Sequence, residues 1–231
     1  MKPLHLMRAQ CTRRRLLGFS FWDFLALVAV ALIGGMLLLP RLARTNCKTD
    51  RVQCVSNLKQ LGLGFRIWAS DHQEQFPLAV SITNGGTLES AESDEVFRHF
   101  LVVSNEIGTP KILACPDDKE RRRARSFTNF SNANVSYLLG LDAKEELPHR
   151  ILAGDRNITG GAMRGAVMLF SNHNTAHFGT DIHKKVGNYV LADGSGSQAT
   201  TDMLRRQLEA GSLPVRFAIP RVSERKRATY R

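Results

Sequence analysis

The stretch Arg13–Pro40 reads RRRLLGFSFWDFLALVAVALIGGMLLLP. Three arginines lead to Gly18, and the 22 residues from Phe19 to Pro40 carry one formal charge, Asp23. As helix this run is about 33 Å long, enough for the ~30 Å hydrocarbon layer of a bilayer. Arginines just before it put the N-terminus on the cytoplasmic side and the rest outside. The reading is a single membrane pass over residues 19–40, in the inner (cytoplasmic) membrane, with an extracytoplasmic or periplasmic head. A cleavable secretory signal is excluded, since its apolar core is shorter and a small-residue site follows it.

Charge looks at first like a nucleic-acid signature, at +11. The excess is concentrated at the two ends. Residues 1–18 hold five Lys/Arg and no acid, and residues 212–231 hold six against Glu224; of 32 bases and 21 acids, residues 19–211 keep 21 and 20. The body is nearly neutral, so nucleic acid is not an expected partner. The basic leader 1–18, the membrane half 19–40, a head over 41–211 and a basic irregular tail over 212–231 are the expected divisions. About 190 residues between leader and tail suffice for one membrane helix and one modest domain.

Past Pro40 the helix is expected to continue. Cys54, Val55, Leu58, Leu61, Gly62, Phe65, Trp68 and Ala69 recur at three- and four-residue spacing, the mark of an amphipathic helix over 41–70. Gly34-Gly35 and Pro40 are expected to soften or kink it. Further on the chain reads α+β. A short helix is predicted over Ser93–Val103 with Ser93 as its N-cap. Strands are predicted over Lys111–Ala114, Val135–Leu141, Arg150–Ala153, Gly165–Phe170 and Gly187–Ala192, each bounded by Gly, Pro, Asn or Asp. Asp193-Gly194 marks a hairpin, and Thr201–Ala210 a short helix with Gly211 at its C-terminal cap position. The fold class is thus a long N-terminal helix, half for the membrane and half amphipathic, on a small antiparallel sheet.

Four cysteines stand at 11, 47, 54 and 115, with no C-x2-C pair, which excludes a zinc ribbon. Cys47 and Cys54 lie about two helical turns apart, ~10 Å, beyond disulfide reach. Cys54 with Cys115 is the one pairing considered, against buried free thiols.

Gly18-Phe19, then Asp23, an apolar run and Pro40 together resemble the class III prepilin signal of type IV pilins and pseudopilins. The family's acidic residue is usually Glu, and Asp23 departs from it. The stretch Cys54–Leu63 (CVSNLKQLGL) with Phe76-Pro77 resembles a C-x-N-N-L-K-Q-I-G-L…F-P segment of a bacterial pseudopilin group. Cys115-Pro116-Asp117-Asp118 resembles that group's C-P-x-D loop. His183, nine residues, then Asp193-Gly194 resembles its H-x9-DG motif. The resemblance implies a pilin-like fold, cleavage by a prepilin peptidase after Gly18 and N-methylation of Phe19. It further implies filament assembly, as in type II secretion or type IV pili, with other pilin or pseudopilin subunits and an inner-membrane assembly platform. Asp23 would pair with a neighbouring subunit's freed α-amino group, and Pro40 falls where the family's helix carries its proline. The alternative is a membrane-anchored extracytoplasmic ligand-binding module that does not polymerise.

Enzyme motifs are missing: there is no G-x-S-x-G, no P-loop lysine motif and no placeable pair of catalytic carboxylates. Gly154-Asp155-Arg156-Asn157 and Gly160-Gly161 are too short and isolated to cradle phosphate. His173, His177 and His183, with Asp181 and Asp193 near, are of metal-ligating type, but the spacing matches no known ligand pattern and the stretch reads as a surface loop. No metal and no cofactor is expected; calcium on Asp193, Asp202 and backbone carbonyls is the nearest candidate. For His183 the expected role is a hydrogen bond across to Asp193, which turns the hairpin. Arg121-Arg122-Arg123 with Arg125, beside Asp117, Asp118 and Glu120, reads as a solvated face.

Overall fold

Helix α1 spans Phe21–Ser70, and from Cys54 onward one of its faces is buried, as the three- and four-residue spacing requires: Cys54, Leu58, Leu61, Phe65, Trp68 and Ala69. A computed structural model describes residues 21–222, with 37–49 described by backbone alone. The chain divides into two units, Met1–Arg44 and Thr45–Arg231.

In the second unit, α1 is followed, before the first strand, by five 3-10 turns and two short helices, α2 (Phe97–Val102) and α3 (Ser104–Ile107). The strands are β1 (Tyr137–Gly140), β2 (Ile151–Asp155), β3 (Ile158–Thr159), β4 (Ala162–Arg164), β5 (Val167–Phe170), β6 (His177–Phe178), β7 (Gly187–Leu191), β8 (Gly196–Ala199) and β9 (Val215–Ala218). Helix α4, Thr201–Ala210, lies between the last two, capped by the Thr200 hydroxyl, which accepts from Met203 N. Seven strands form one antiparallel sheet in the order β4-β5-β9-β1-β2-β7-β8, and β3 pairs with β6 separately.

Alternation along the strands gives the sheet two apolar faces. Tyr137, Leu139, Val190 and Ala218 join α1 in one core; Leu138, Tyr189, Leu191 and Phe217 join Leu204 and Leu208 of α4 in the other. Central strands β1, β2 and β7 are therefore buried along their whole length. Gly62 lets α1 approach β7 closely: a Cβ there would fall 2.7 Å from Val190 Cγ2.

These findings overturn the expected pilin-like fold class. The sheet is large and has seven strands, with α1 residues in the core on one face and α4 residues in the core on the other, not a small sheet under one helix. Two strands outside the expected set enlarge it. All of β4 is exposed, and β9 lies between Pro214 and Pro220 in the segment expected to be irregular tail. Residues 215–218 are instead paired on both sides, with β5 and β1.

The expected transmembrane helix, and with it the single-pass inner-membrane placement, is also corrected: among the described residues no helix is long and apolar enough to cross a membrane. The apolar side chains described in the first half of α1 run from Phe21 to Met36, sixteen residues.

Two local expectations change for identifiable reasons. Lys111–Ala114 is not a strand, because Pro110 and the Thr109 hydroxyl, accepting from Lys111 N, set up a 3-10 turn over Pro110–Leu113. Ser93 accepts from Glu95 N in a turn, and the helix behind it starts only at Phe97.

Candidate functional site

Two features stand out, one in each unit. In the first, the described part of α1 is apolar and exposed around its circumference: Phe21, Trp22, Phe24, Val30, Leu32 and Met36 are each more than 60% accessible. Asp23 lies in the first turn of the helix, and α1 continues through Pro40. Gly18 and Phe19, the expected cleavage and methylation positions, lie outside the described residues.

In the second unit the motif residues converge in the interior. Cys54 of α1 is disulfide-bonded to Cys115, 61 positions further along the chain, with Cα atoms 5.4 Å apart. Closing a loop of that size is worth about 4 kcal/mol on the chain-entropy model. His183 sits against this bridge, its Nε2 3.3 Å from Cys115 Sγ. Its Nδ1 is 3.2 Å from Asp117 Oδ2, and its backbone N–H donates to the same oxygen at 2.8 Å. Burial holds the imidazole below its ordinary range, partly opposed by Asp117. A neutral ring with Nδ1–H turned to Asp117 leaves the Nε2 lone pair facing the sulfur.

On the far side of Nε2, at 3.6 Å, is Oδ2 of Asp155, which also accepts from the backbone N–H and Nδ2 of Asn188 at 2.8 and 2.9 Å. Asp155 is fully buried at the end of β2, and its Oδ1 has no hydrogen-bond partner among the described residues. Burial pushes this carboxyl up to about 7. Arg51, one turn before Cys54 on α1, supplies positive charge felt by both Asp155 and His183.

Neighbouring residues anchor the walls. Asp118 takes a two-pronged contact from Arg156, at 2.7 and 2.8 Å, and Arg156 also reaches Glu120 at 3.2 Å. Asn157 Nδ2 lies within 3.2 Å of the carbonyls of Gly179, Ile182 and Val186, which staples the loop carrying His183. That loop needs holding, since His183, Lys184 and Lys185 all have left-handed backbone, φ 56°, 52° and 67°.

The remaining half of the H-x9-DG pattern lies elsewhere. Asp193-Gly194 turns β7 into β8, with Gly194 at φ 85° and Asp193 Oδ1 accepting from Ser195 N. The expected hydrogen bond from His183 to Asp193 is therefore not formed; β7 stands between them. Both ends are nonetheless tied to α1. Cys54 reaches the His183 end through Cys115, and Arg66 Nη1 donates to the Asp193 carbonyl at 2.8 Å. Twelve helical residues from 54 to 66 advance about 18 Å, close to the ~17 Å of a five-residue strand.

His177 is exposed and His173 half-buried, and neither joins His183 in the cluster with the two cysteines. Asp193 and Asp202, the carboxylates considered for calcium, turn to Ser195 and to Arg205 respectively. Sequence reasoning missed Asp117 as the partner of His183, and missed Asp155, Asn157 and Asn188 altogether. Their signal was the Gly154–Asn157 stretch, set aside as a phosphate cradle: three polar residues directly after the apolar Ile151–Ala153. Compared with known proteins, the chain matches no family model, no curated protein and no solved structure.

Proposed function

We propose that the chain is a structural subunit of the pseudopilin kind, processed after Gly18 and assembled with like subunits through the first part of α1. The single observation behind this reading is the exposed apolar belt of α1, Phe21 to Met36. Each such Leu, Val or Phe gains about 1.5–3 kcal/mol on leaving water, so the belt favours association with copies of itself. A motif resemblance at residues 18–23 supports the same reading from the sequence side. The proposed partners are a prepilin-type peptidase, other subunits of this kind and an assembly platform. The reading assigns the chain no catalysis of its own.

Mass spectrometry of the mature protein from cells should find an N-terminus at Phe19, methylated. A chain that still begins at Met1 would remove the processing half of the proposal. Asp23→Asn keeps the side chain's size and removes its charge. Cleavage should survive while filament yield falls by at least about tenfold, equivalent to ~1.4 kcal/mol per contact. Unchanged yield would count against a role for Asp23 in assembly.

A further inference from the structure

Cys54 Sγ, Cys115 Sγ and His183 Nε2 all lie within 4.8 Å of one another, and all three residues are buried. With a proton on Nδ1 facing Asp117, the histidine already has the arrangement of a metal ligand whose second nitrogen is fixed by a carboxylate. Its 3.3 Å separation from Cys115 Sγ is near the ~3.5 Å edge of a tetrahedron built on Zn–S of ~2.3 Å and Zn–N of ~2.0 Å. The second sulfur needs only to swing from its bonded partner to about 3.8 Å, the corresponding S···S edge. An independent observation points the same way: Asp155, fully buried, reaches within 3.6 Å of the same Nε2 with Oδ2, and its other oxygen, Oδ1, is unpartnered among the described residues.

We propose that this cluster is a zinc site in its reduced form: when the Cys54–Cys115 bond is opened, the two thiolates and His183 bind one Zn2+. The opening step is a two-electron exchange with a dithiol. The S–S bond breaks, the dithiol becomes a disulfide, and Cys54 and Cys115 each take a proton. Zinc then displaces those two protons and bonds both sulfurs and Nε2. Two thiolates and one Zn2+ sum to zero charge, which suits a buried position. Oxidised, the link between α1 and the Cys115 loop is covalent; reduced, it is a metal bridge between the same residues. The head stays fastened in either redox condition.

The test uses the full-length chain in detergent with Cys11→Ser and Cys47→Ser, which leaves no other thiols. One sample keeps its disulfide; the other is reduced with a phosphine, which becomes the phosphine oxide with water's oxygen and leaves two thiols. Both are titrated with Co2+ as a spectroscopic stand-in and then with Zn2+. Expected is one equivalent of Co2+ in the reduced sample, with thiolate-to-cobalt charge transfer and tetrahedral visible bands, displaced by Zn2+, and none in the oxidised sample. His183→Gln should abolish the tetrahedral signature, and Asp117→Asn should weaken binding about 10- to 100-fold at unchanged stoichiometry. A reduced chain that keeps its far-UV dichroism yet takes no Co2+ overturns the proposal. So does one that unfolds on reduction and is not restored by Zn2+, and so does equal binding by His183→Gln.

Discussion

His99, at the end of α2, shows what burial does to a single titratable side chain. Thr87 commits its hydroxyl proton to the Pro77 carbonyl, so its oxygen accepts from His99 Nδ1–H at 2.8 Å. Burial lowers the imidazole from 6.5 to about 4. The unfolded chain therefore takes up this proton at higher pH than the fold does. Its stability contribution is complete above about 6.5 and drains away as pH falls toward about 4, by ~2 kcal/mol at about pH 5. His99→Gln keeps a donor for Thr87 but does not titrate. Denaturant midpoints measured at about pH 7 and about pH 5 should therefore diverge more in the parent than in the variant; equal slopes would show that His99 is not responsible. Residues of this kind were hard to foresee. His183 meets Asp117 across 66 positions and Asp155 meets Asn188 across 33, and no local pattern encodes such pairs. The cysteine pair was legible in part: helical geometry removed Cys47 with Cys54, but nothing in the spacing chose Cys54 over Cys47 as the partner of Cys115.

Helices and strands were more legible where a local rule and the tertiary contacts agreed. Helix α4 runs over Thr201–Ala210 with Gly211 at its end, and the Asp193-Gly194 turn is in place. Strand β9 was hidden because flanking prolines speak for irregular chain, whereas pairing on both sides decides the outcome. The contact of α1 with β7 allows a test at this scale. Gly62→Ala gains up to about 1 kcal/mol of helix propensity. Against that, the new Cβ meets Val190 Cγ2 at 2.7 Å, and Val190 is fully buried in a central strand with little room to yield. Overpacking of this sort costs about 1–3 kcal/mol, so the net effect should be a loss of about 1 kcal/mol. In Gly62→Ala with Val190→Ala the two losses should fall short of adding, by chemical denaturation. Strict additivity would mean that the two side chains do not meet.

At the scale of the whole molecule, the amphipathic helix was legible in the sequence, but the apolar stretch before it was taken for a membrane pass and the size of the sheet was not foreseen. A short strand such as β4, exposed at every residue, becomes visible only once β5 is known to lie beside it. The order β4-β5-β9-β1-β2-β7-β8 has a further effect, on how the protein is made. Strand β9 alone bridges the β4-β5 pair to the β1-β2-β7-β8 block, and among the described strands it is the last to be synthesised. Until Val215–Ala218 emerges, β5 and β1 each expose an open edge, the kind that recruits strands from other chains. A nascent chain stalled after Gly211 should be cut readily by protease and prone to aggregate, whereas one stalled well beyond residue 222 should resist. Equal resistance of the two would mean that the halves of the sheet close without their bridge. Synthesis thus carries a built-in delay: the two halves of the sheet are joined only once Val215–Ala218 has emerged, however early the other strands are made.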